Sequence, residues 1–529
     1  MNMKKQLLFL GLSLTALTYS TSCKKESFDN FYRDPSKVTE TTVEKQFSGM
    51  IYNYRQLITP DYRNIFVTLR PTIFRYLHIT GWINEQNSLL PGAAAIEDRW
   101  SRFYEGLAQY RELETIYNKS IDVEKEEKKI FFYAAKILLY DQTQQTVDLH
   151  GDIPWSKAGM LSTNNSDYQN SYPEYDKATD IYKTMLDDLK AISSDFSEIE
   201  LSGSIKDKFK GQDLINNGDV DLWRKYCNSL RLRLLTRVSA SSEFSARANQ
   251  EIAEIINNPT SYPLIEANDD NAQLDIYSLD DNSIQTKGIK DAFEASGWYA
   301  NLASKKMVDM MTELSDPRLT TFFEPGEKAA GVIKGLDQSL TTAVQTDQAS
   351  KGQIAIYNRS TFSRNQYFPG ILFSATETNL LLAEYYLKNG NTTAAKDKFE
   401  TALKESIALY TSIRSKSNDN TVPAATAPTT AEINAFLTKI NFAAASNKLE
   451  LIANQKWIHF NVLQTVQAWS EVRRLDFPKF TYVIQNSDIQ KTVPVKFSLP
   501  PSESVYNTAN YNTVKDQDNV NTKLFWDIN

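Results

Sequence analysis

The chain contains few of the residues on which disulfide-stapled proteins and most catalytic sites depend. Its 529 residues include two cysteines, Cys23 and Cys227, and three histidines, His78, His150 and His459. Two cysteines cannot form a disulfide framework, and a chain of this length can bury a large core without one. The histidines lie far apart in the sequence, and isolated histidines are more often hydrogen-bonded structural residues than bases or metal ligands.

Local signatures of catalysis and of nucleotide binding are also missing. The sequence has no nucleophile elbow, no His-Glu-x-x-His pair, no Walker loop and no dinucleotide-binding glycine pattern. The acidic pairs Asp269-Asp270 and Asp280-Asp281 lack the alternating spacing of a calcium loop, so they predict solvated surface. The formal net charge is −7 and no basic run is present, which argues against nucleic acid as the main partner. We therefore expect no enzyme, no metal and no cofactor.

The one long apolar run lies at the amino terminus. Residues 1–22 predict an export signal, because two lysines precede the apolar run from Leu7 to Tyr19 and small residues come before Cys23. The run is too short to span a bilayer. Small residues ending in a cysteine resemble the processing site of a bacterial lipoprotein, although Ser20 stands where leucine is usual. This resemblance implies that Cys23 becomes the first mature residue and carries lipid; the alternative is an unlipidated secreted protein.

Helical periodicity dominates the rest of the chain, most clearly between Phe373 and Tyr410. Apolar residues recur there at three-and-four spacing on both sides of Gly390, which predicts two helices folded back on each other. Small residues at Ala395 and Ala402 beside Phe399 resemble the second helix of a tetratricopeptide repeat. One such hairpin cannot bury both of its faces, so further hairpins are expected.

Three other regions show the same periodicity, near residues 96–145, 173–256 and 431–466. The last of them includes a helix predicted to run without a break from Leu449 to Val466. Residues 329–353 are polar and are expected to be mobile. The sequence thus predicts an all-α, mostly helical protein in which tetratricopeptide-like hairpins form a scaffold with long irregular loops.

Several motifs in order resemble the SusD/RagB family of nutrient-binding outer-membrane lipoproteins. They are Gly151–Ala158, Trp223–Leu230, Leu382–Glu384, Gln455–Ile458 and Trp469–Pro478. The Trp469–Pro478 motif resembles one branch of that family, in which a tryptophan, an acidic residue and an Arg-Arg pair come before a proline. Tryptophan at position 155 and phenylalanine at position 477 stand where tyrosine is common in the family.

The resemblance carries implications for both fold and function. It implies four tetratricopeptide-like hairpins within one domain, residues 23–529, held at the outer membrane by a lipid and facing the exterior. It also implies capture of oligosaccharides, or in some members peptides, and their delivery to a TonB-dependent transporter of the SusC type. A helical-repeat lipoprotein that scaffolds envelope assembly by binding protein is the alternative.

Buried positions follow from the same patterns. Trp223, Trp457 and Trp469 lie on helical stripes and are expected in the core, as is Cys227. A buried guanidinium requires a carboxylate, so Arg473 and Arg474 are expected to pair with Glu377, Glu384 or Glu503.

The ligand site is predicted in loops, because aromatic residues on helical stripes are committed to the core. A sugar ring needs a flat aromatic surface beside amide or acid groups, and an aromatic surface also accepts peptide side chains. Two Gly- and Asn-rich loops combine these features, and their candidate ligand-binding residues are Trp82, Asn84, Trp298, Tyr299 and Asn301. The alternative is that these rings only pack the loops onto the helical body.

Overall fold

Helices make up most of the computed structural model, which describes residues 41–85, 88–280, 288–294, 299–423, 426–483 and 492–529. The longer helices are α1 (Val43–Ile58), α3 (Ala93–Lys119), α4 (Asp122–His150), α5 (Ala178–Asp195), α6 (Gly203–Gln212), α7 (Val220–Val238), α8 (Ser245–Asn257), α10 (Lys305–Leu314), α12 (Thr342–Ser350), α13 (Ala375–Lys388), α14 (Thr392–Ser415), α15 (Thr430–Ile440), α16 (Lys448–Phe460) and α17 (Thr465–Leu475). The short ones are α2 (Ile73–Tyr76), α9 (Gly288–Phe293), α11 (Leu319–Phe322), α18 (Pro501–Tyr506) and α19 (Thr508–Val514), with a π-helical turn at Arg63–Leu69.

Short antiparallel strand pairs join distant parts of this helical body. They are β1 (Ile153–Pro154) with β2 (Tyr175–Asp176), β3 (Ala272–Leu274) with β6 (Gly370–Phe373), and β4 (Phe323–Glu324) with β5 (Ile356–Tyr357). Consecutive helices pack as hairpins, including α3 on α4, α7 on α8, α13 on α14 and α16 on α17. The mostly helical fold with irregular loops is therefore confirmed. None of the helices in the described ranges is long and apolar enough to cross a membrane.

The hairpin of α13 and α14 forms for the local reasons that its sequence indicates. The Ser374 hydroxyl caps α13 by accepting from the Glu377 backbone N–H, and Asn391 caps α14 in the same way through the Ala394 N–H. Gly390 between them has φ of +77°, a left-handed conformation that suits glycine. The small and aromatic residues predicted on the inner face, Ala395, Phe399 and Ala402, are fully buried.

One local prediction is wrong because a tertiary contact decides the backbone, and one polar segment contains a helix. The helix predicted from Leu449 to Val466 is interrupted, because Asn461 adopts φ of +30° and its amide oxygen accepts the Tyr357 hydroxyl at 2.7 Å. The segment 329–353 contains α12 rather than a loop throughout. Gln345 on this helix is fully buried and its amide oxygen accepts the Asn84 backbone N–H at 2.7 Å, so the segment is packed against the body.

A cluster of buried charges joins three of the helical segments. Arg474 of α17 donates to both carboxylate oxygens of Glu384 at 2.6 Å and to Glu471, and Lys456 donates to the same two acids at 2.7 and 2.6 Å. All four side chains are nearly inaccessible. The predicted pairing of Arg474 with Glu384 is therefore confirmed.

The partners of Arg473, Glu377 and Glu503 are not the ones predicted from the sequence. Arg473 has its guanidinium 4.1 Å from the centre of the Trp469 ring and donates to the Val495 carbonyl at 2.7 Å. Burial lowers its pKa to about 9. Glu377 instead pairs with Arg233 of α7, and Glu503 accepts the Tyr175 hydroxyl at 2.7 Å. Which carboxylate meets which arginine follows from the docking of helices, a property that helical periodicity does not report.

The remaining core predictions are confirmed. Trp223, Trp457 and Trp469 are 0%, 1% and 2% exposed, and the Trp457 indole donates to the Leu77 carbonyl at 2.8 Å. Cys227 is buried, and burial raises the pKa of its thiol to about 12. A thiol in this environment stays protonated and unreactive.

Candidate functional site

The structure brings together the two loops in which the ligand site is predicted. The Gly81 backbone N–H donates to the Leu302 carbonyl at 2.7 Å, and Thr80 forms an antiparallel bridge with Ala303. Ile83 and Tyr299 pack against the same small apolar cluster, built around Leu302, Leu336, Ala349 and Ile354. The two loops are more than 200 residues apart in sequence and share one structural unit.

Trp82 and Asn84 are anchors of that unit rather than exposed surface. Trp82 is 6% exposed, and its backbone exchanges hydrogen bonds of 3.0 and 2.7 Å with the Gln338 amide. Asn84 is 1% exposed and donates through Nδ2 to the carbonyls of Gln338 and Leu340. Their buried side chains support the interpretation that these residues hold the loop on the body. A role in ligand contact stays a prediction.

The other candidate residues lie at the edge of the same unit. Tyr299 is half-buried and has φ of +47°, while Asn301 is half-buried and its carbonyl accepts the Tyr357 backbone N–H at 2.8 Å. Trp298 lies outside the described residues, as does the predicted lipidation site Cys23.

A groove of about 430 Å³ opens beside these loops. Its lining residues are His78, Lys305, Lys306, Asp309, Met310, Glu313, Leu336, Asp337, Gln338, Ser339, Lys479, Phe480 and Thr481. They come from the first loop, helix α10, the segment after Gly335 and the segment after α17. Cations and carboxylates alternate along the walls, with Lys305 and Asp309 paired on α10. The lining combines charged donors and acceptors with a similar amount of apolar surface, which suits a ligand that carries both hydroxyl groups and apolar faces.

Gly335 determines how closely two walls of this groove, its own segment and the start of α10, approach each other. A Cβ atom at this position would lie 2.4 Å from the Ser304 carbonyl oxygen and 2.5 Å from Lys305 Cα. Any larger residue would therefore push the segment at Leu336–Ser339 away from the start of α10. The groove is shaped by this backbone contact.

His78 is the least satisfied polar side chain of the groove. Its ring lies between Trp82, Phe480 and Tyr482, with centroid separations of 5.1, 4.9 and 5.2 Å. Burial, and then the nearby Lys306 charge, lower its pKa to about 3, so the imidazole is neutral near pH 7. Its Nε2 atom has no hydrogen-bond partner among the residues that the structure describes.

A buried polar atom without a hydrogen bond costs about 1–3 kcal/mol of stability. A ligand group that bonded to this nitrogen would recover that free energy. The Trp82 indole meets the same ring edge to face, and its Nε1 also has no partner within the described ranges. The sequence did not identify His78 or Phe480 as site residues. Phe480 follows His78 by some 400 positions, and no local pattern links them.

Within the described residues, no group of three or more His, Cys, Asp or Glu side chains is placed to hold a metal ion. All three histidines are buried. His150 Nδ1 lies 3.0 Å from the Ser498 carbonyl, and the two ring nitrogens of His459 lie 2.9 Å from the Ser374 and Ser406 hydroxyls.

Sequence comparison assigns the family of this mostly helical, loop-rich chain. The family model described as "starch-binding associating with outer membrane" matches residues 35–500. The chain therefore belongs to the SusD-like family. No curated protein matches the chain.

Solved structures share the fold over nearly the whole chain. A chitin-binding protein matches with a TM-score of 0.71 at 22% identity, covering 91% of this chain and 100% of that one. A chitin-binding SusD homologue from Flavobacterium johnsoniae gives 0.68 at 22% identity, covering 92% and 99%. A SusD homologue from Parabacteroides distasonis gives 0.72 at 19% identity, covering 92% and 98%. At these identities the likeness is one of fold.

Proposed function

We propose that this protein is a nutrient-binding lipoprotein that captures oligosaccharides at the cell surface and delivers them to a TonB-dependent transporter of the SusC type. The groove bounded by His78, helix α10 and Phe480 is the proposed capture site. Membership of a family whose description is starch-binding, and fold neighbours described as chitin-binding, support a glycan as the ligand. Binding is the whole of the proposed activity, with no catalytic step.

The observation that carries the proposal is the groove itself. It combines one aromatic ring, Phe480, and one neutral imidazole with charged donors and acceptors on all sides. A pyranose ring presents an apolar C–H face bordered by hydroxyl groups, so it can stack on Phe480 while its hydroxyls bond to Lys306, Asp309 or His78.

Calorimetric titration of the soluble chain, residues 24–529, tests this assignment. The ligands are α-glucan and chitin oligomers, with a peptide panel of matched length, because a peptide would also suit the aromatic surface. For the best ligand, Phe480→Ala and Lys306→Ala are each expected to weaken binding by about tenfold, which corresponds to about 1.4 kcal/mol. Trp82→Ala and Trp298→Ala test the loop residues predicted from the sequence.

The control for these variants is Tyr277→Ala, which removes an aromatic ring that is 62% exposed and does not line the groove. It is expected to bind like the parent. If Phe480→Ala and Lys306→Ala stay folded and bind as tightly as the parent, the groove is not the capture site. A peptide that binds where no glycan does would overturn the ligand class.

The anchor is proposed to be a lipid on Cys23, with the body on the outer face of the outer membrane. Cys23→Ala is expected to move the protein from the membrane fraction to the soluble fraction, because a chain without its acyl groups loses the apolar surface that holds it to lipid. Fractionation and immunoblotting measure the two shares. Ser22→Ala is the matched control, since it keeps a small residue before the cysteine. An unchanged membrane share for Cys23→Ala would refute the lipid anchor.

A further inference from the structure

A second cavity lies at a different part of the surface and shares no lining residue with the groove. Its volume is about 330 Å³, and it is bounded by α3, by the segments on either side of the β1–β2 pair, and by α18. We call it the Trp100 cavity, after the tryptophan of α3 in its wall. The proposed capture of glycans in the groove makes no use of it.

Aromatic rings line the Trp100 cavity from opposite sides. Trp100 and Tyr104 lie on one side with ring centroids 4.9 Å apart, and the Tyr104 hydroxyl is held by the Pro154 carbonyl at 2.7 Å. On the other side, Tyr172 and Tyr506 are 53% and 74% exposed. The cavity therefore combines two rings held in the body, of which Trp100 is only 4% exposed, with two rings that are open to solvent.

The charge of the cavity has one sign. Glu97 and Glu503 are both among its lining residues, and none of the described residues that line it is a lysine or an arginine. Glu503 is held in place by the Tyr175 hydroxyl at 2.7 Å and by the Asn507 amide at 3.1 Å. Asn507 in turn donates to the Pro173 carbonyl at 3.0 Å, which ties α18 to the opposite wall. The carboxylate is thus part of a built wall and not a mobile surface group.

We propose that the Trp100 cavity binds a protonated amine carried on an apolar frame, and that its ligand is an amino-sugar unit with an unacetylated amino group. A cation over an aromatic face is stabilised by the ring quadrupole, and two carboxylates without a competing cation add a direct charge partner. The aromatic faces suit the C–H face of a pyranose ring, and the tyrosine, serine and asparagine groups suit its hydroxyls. The groove beside His78 has charges of both signs and lacks this selectivity for a cation.

The test compares two ligands that differ in charge: a glucosamine tetramer and its N-acetylated counterpart. Each is titrated at mildly acidic pH into residues 24–529 carrying Phe480→Ala, so that capture in the groove does not contribute, with calorimetry and tryptophan fluorescence as readouts. The glucosamine tetramer is expected to bind more tightly than the acetylated one, and more weakly as salt is raised, because screening reduces charge attraction. Glu97→Gln and Tyr506→Ala are each expected to weaken its binding by about tenfold.

Matched controls lie on the same surface. Glu105→Gln removes an exposed carboxylate from the same helix, and Tyr168→Ala removes a tyrosine that is 64% exposed, yet neither residue lines the cavity. Both are expected to bind the glucosamine tetramer like the parent. Phe480→Ala in the groove is expected to do the same, so loss of glycan capture and loss of amine binding can be told apart.

Three results would overturn the proposal. They are equal binding of the two tetramers by the chain carrying Phe480→Ala, no binding of the glucosamine tetramer, and unchanged binding in both Glu97→Gln and Tyr506→Ala. A lysine-containing tetrapeptide is titrated in parallel. If it binds through Glu97 and Tyr506 while the amino sugar does not, the amine chemistry holds but the assignment to an amino sugar is wrong.

Discussion

Replacing Arg474 with alanine is expected to lower the free energy of unfolding by about 3–5 kcal/mol, because it removes the guanidinium that two buried carboxylates share. Glu384 and Glu471 share Arg474 and Lys456 in a site that is almost inaccessible to water. Burial by itself would raise the pKa of both acids, but the charges of Arg474 and Lys456 outweigh it and hold both values well below the usual range. Denaturant unfolding measured by far-UV circular dichroism gives the difference.

The matched control is an ion pair of the same type on the surface. Lys351 lies 2.8 Å from Asp347 with both side chains more than half exposed, so Lys351→Ala is expected to change stability by less than about 0.5 kcal/mol. The double variant Arg474→Met with Glu384→Met is expected to lose less than the sum of its single variants, because it removes one charge of each sign. Parent-like unfolding of Arg474→Ala would show that this cluster does not support the fold.

The three buried histidines are expected to make the protein less stable as the pH falls from about 6.5 towards 3. Burial is the largest cause that lowers the pKa of His78, His150 and His459, each to about 3. Between that value and the unfolded value of about 6.5, the unfolded chain binds a proton that the folded chain does not. Stability therefore falls as the pH falls through this window, by about 1.4 kcal/mol per unit for each histidine.

His459→Gln isolates one of these contributions. His459 lies between the Ser374 and Ser406 hydroxyls, and glutamine can still hydrogen-bond there but does not titrate. The slope of unfolding free energy against pH is expected to decrease by about 1.4 kcal/mol per unit, and His150→Gln should reduce it by a similar amount. Burial raises the pKa of acids such as Asp213, so their titration changes stability in the opposite direction. The difference in slope between a variant and the parent cancels this contribution, because both chains contain the same acids. A slope unchanged in both variants would contradict the prediction.

The helical scaffold could be predicted because its cues are local. The residues that end α13 and begin α14, Gly390 and Asn391, act through their own backbone preferences and caps, and the inner-face residues repeat at helical spacing. The break at Asn461 could not be predicted in this way. Its cause is a hydrogen bond from Tyr357, about 100 residues earlier in the chain, and asparagine alone does not end a helix.

The candidate site could be predicted only in part. Glycine and asparagine around Trp82 and Tyr299 indicate loops, and the structure places those two loops side by side. That Phe480 covers the His78 ring, against which Trp82 also packs, depends on two segments that meet only in the folded chain. The groove is a space between elements, so no single segment encodes it.

The sequence by itself determined the mostly helical scaffold, the buried tryptophans and the family resemblance, because each depends on the spacing of residues within one or two helices. The tertiary structure alone decided that Arg474 pairs with Glu384 while Arg473 lies on Trp469, and that one cavity is lined by charges of both signs and another by carboxylates without a cation. A buried charged side chain needs a partner of opposite charge, and helical periodicity predicts which side chains are buried. Which partner is within reach depends on how the hairpins dock, and that is set by packing across the whole core.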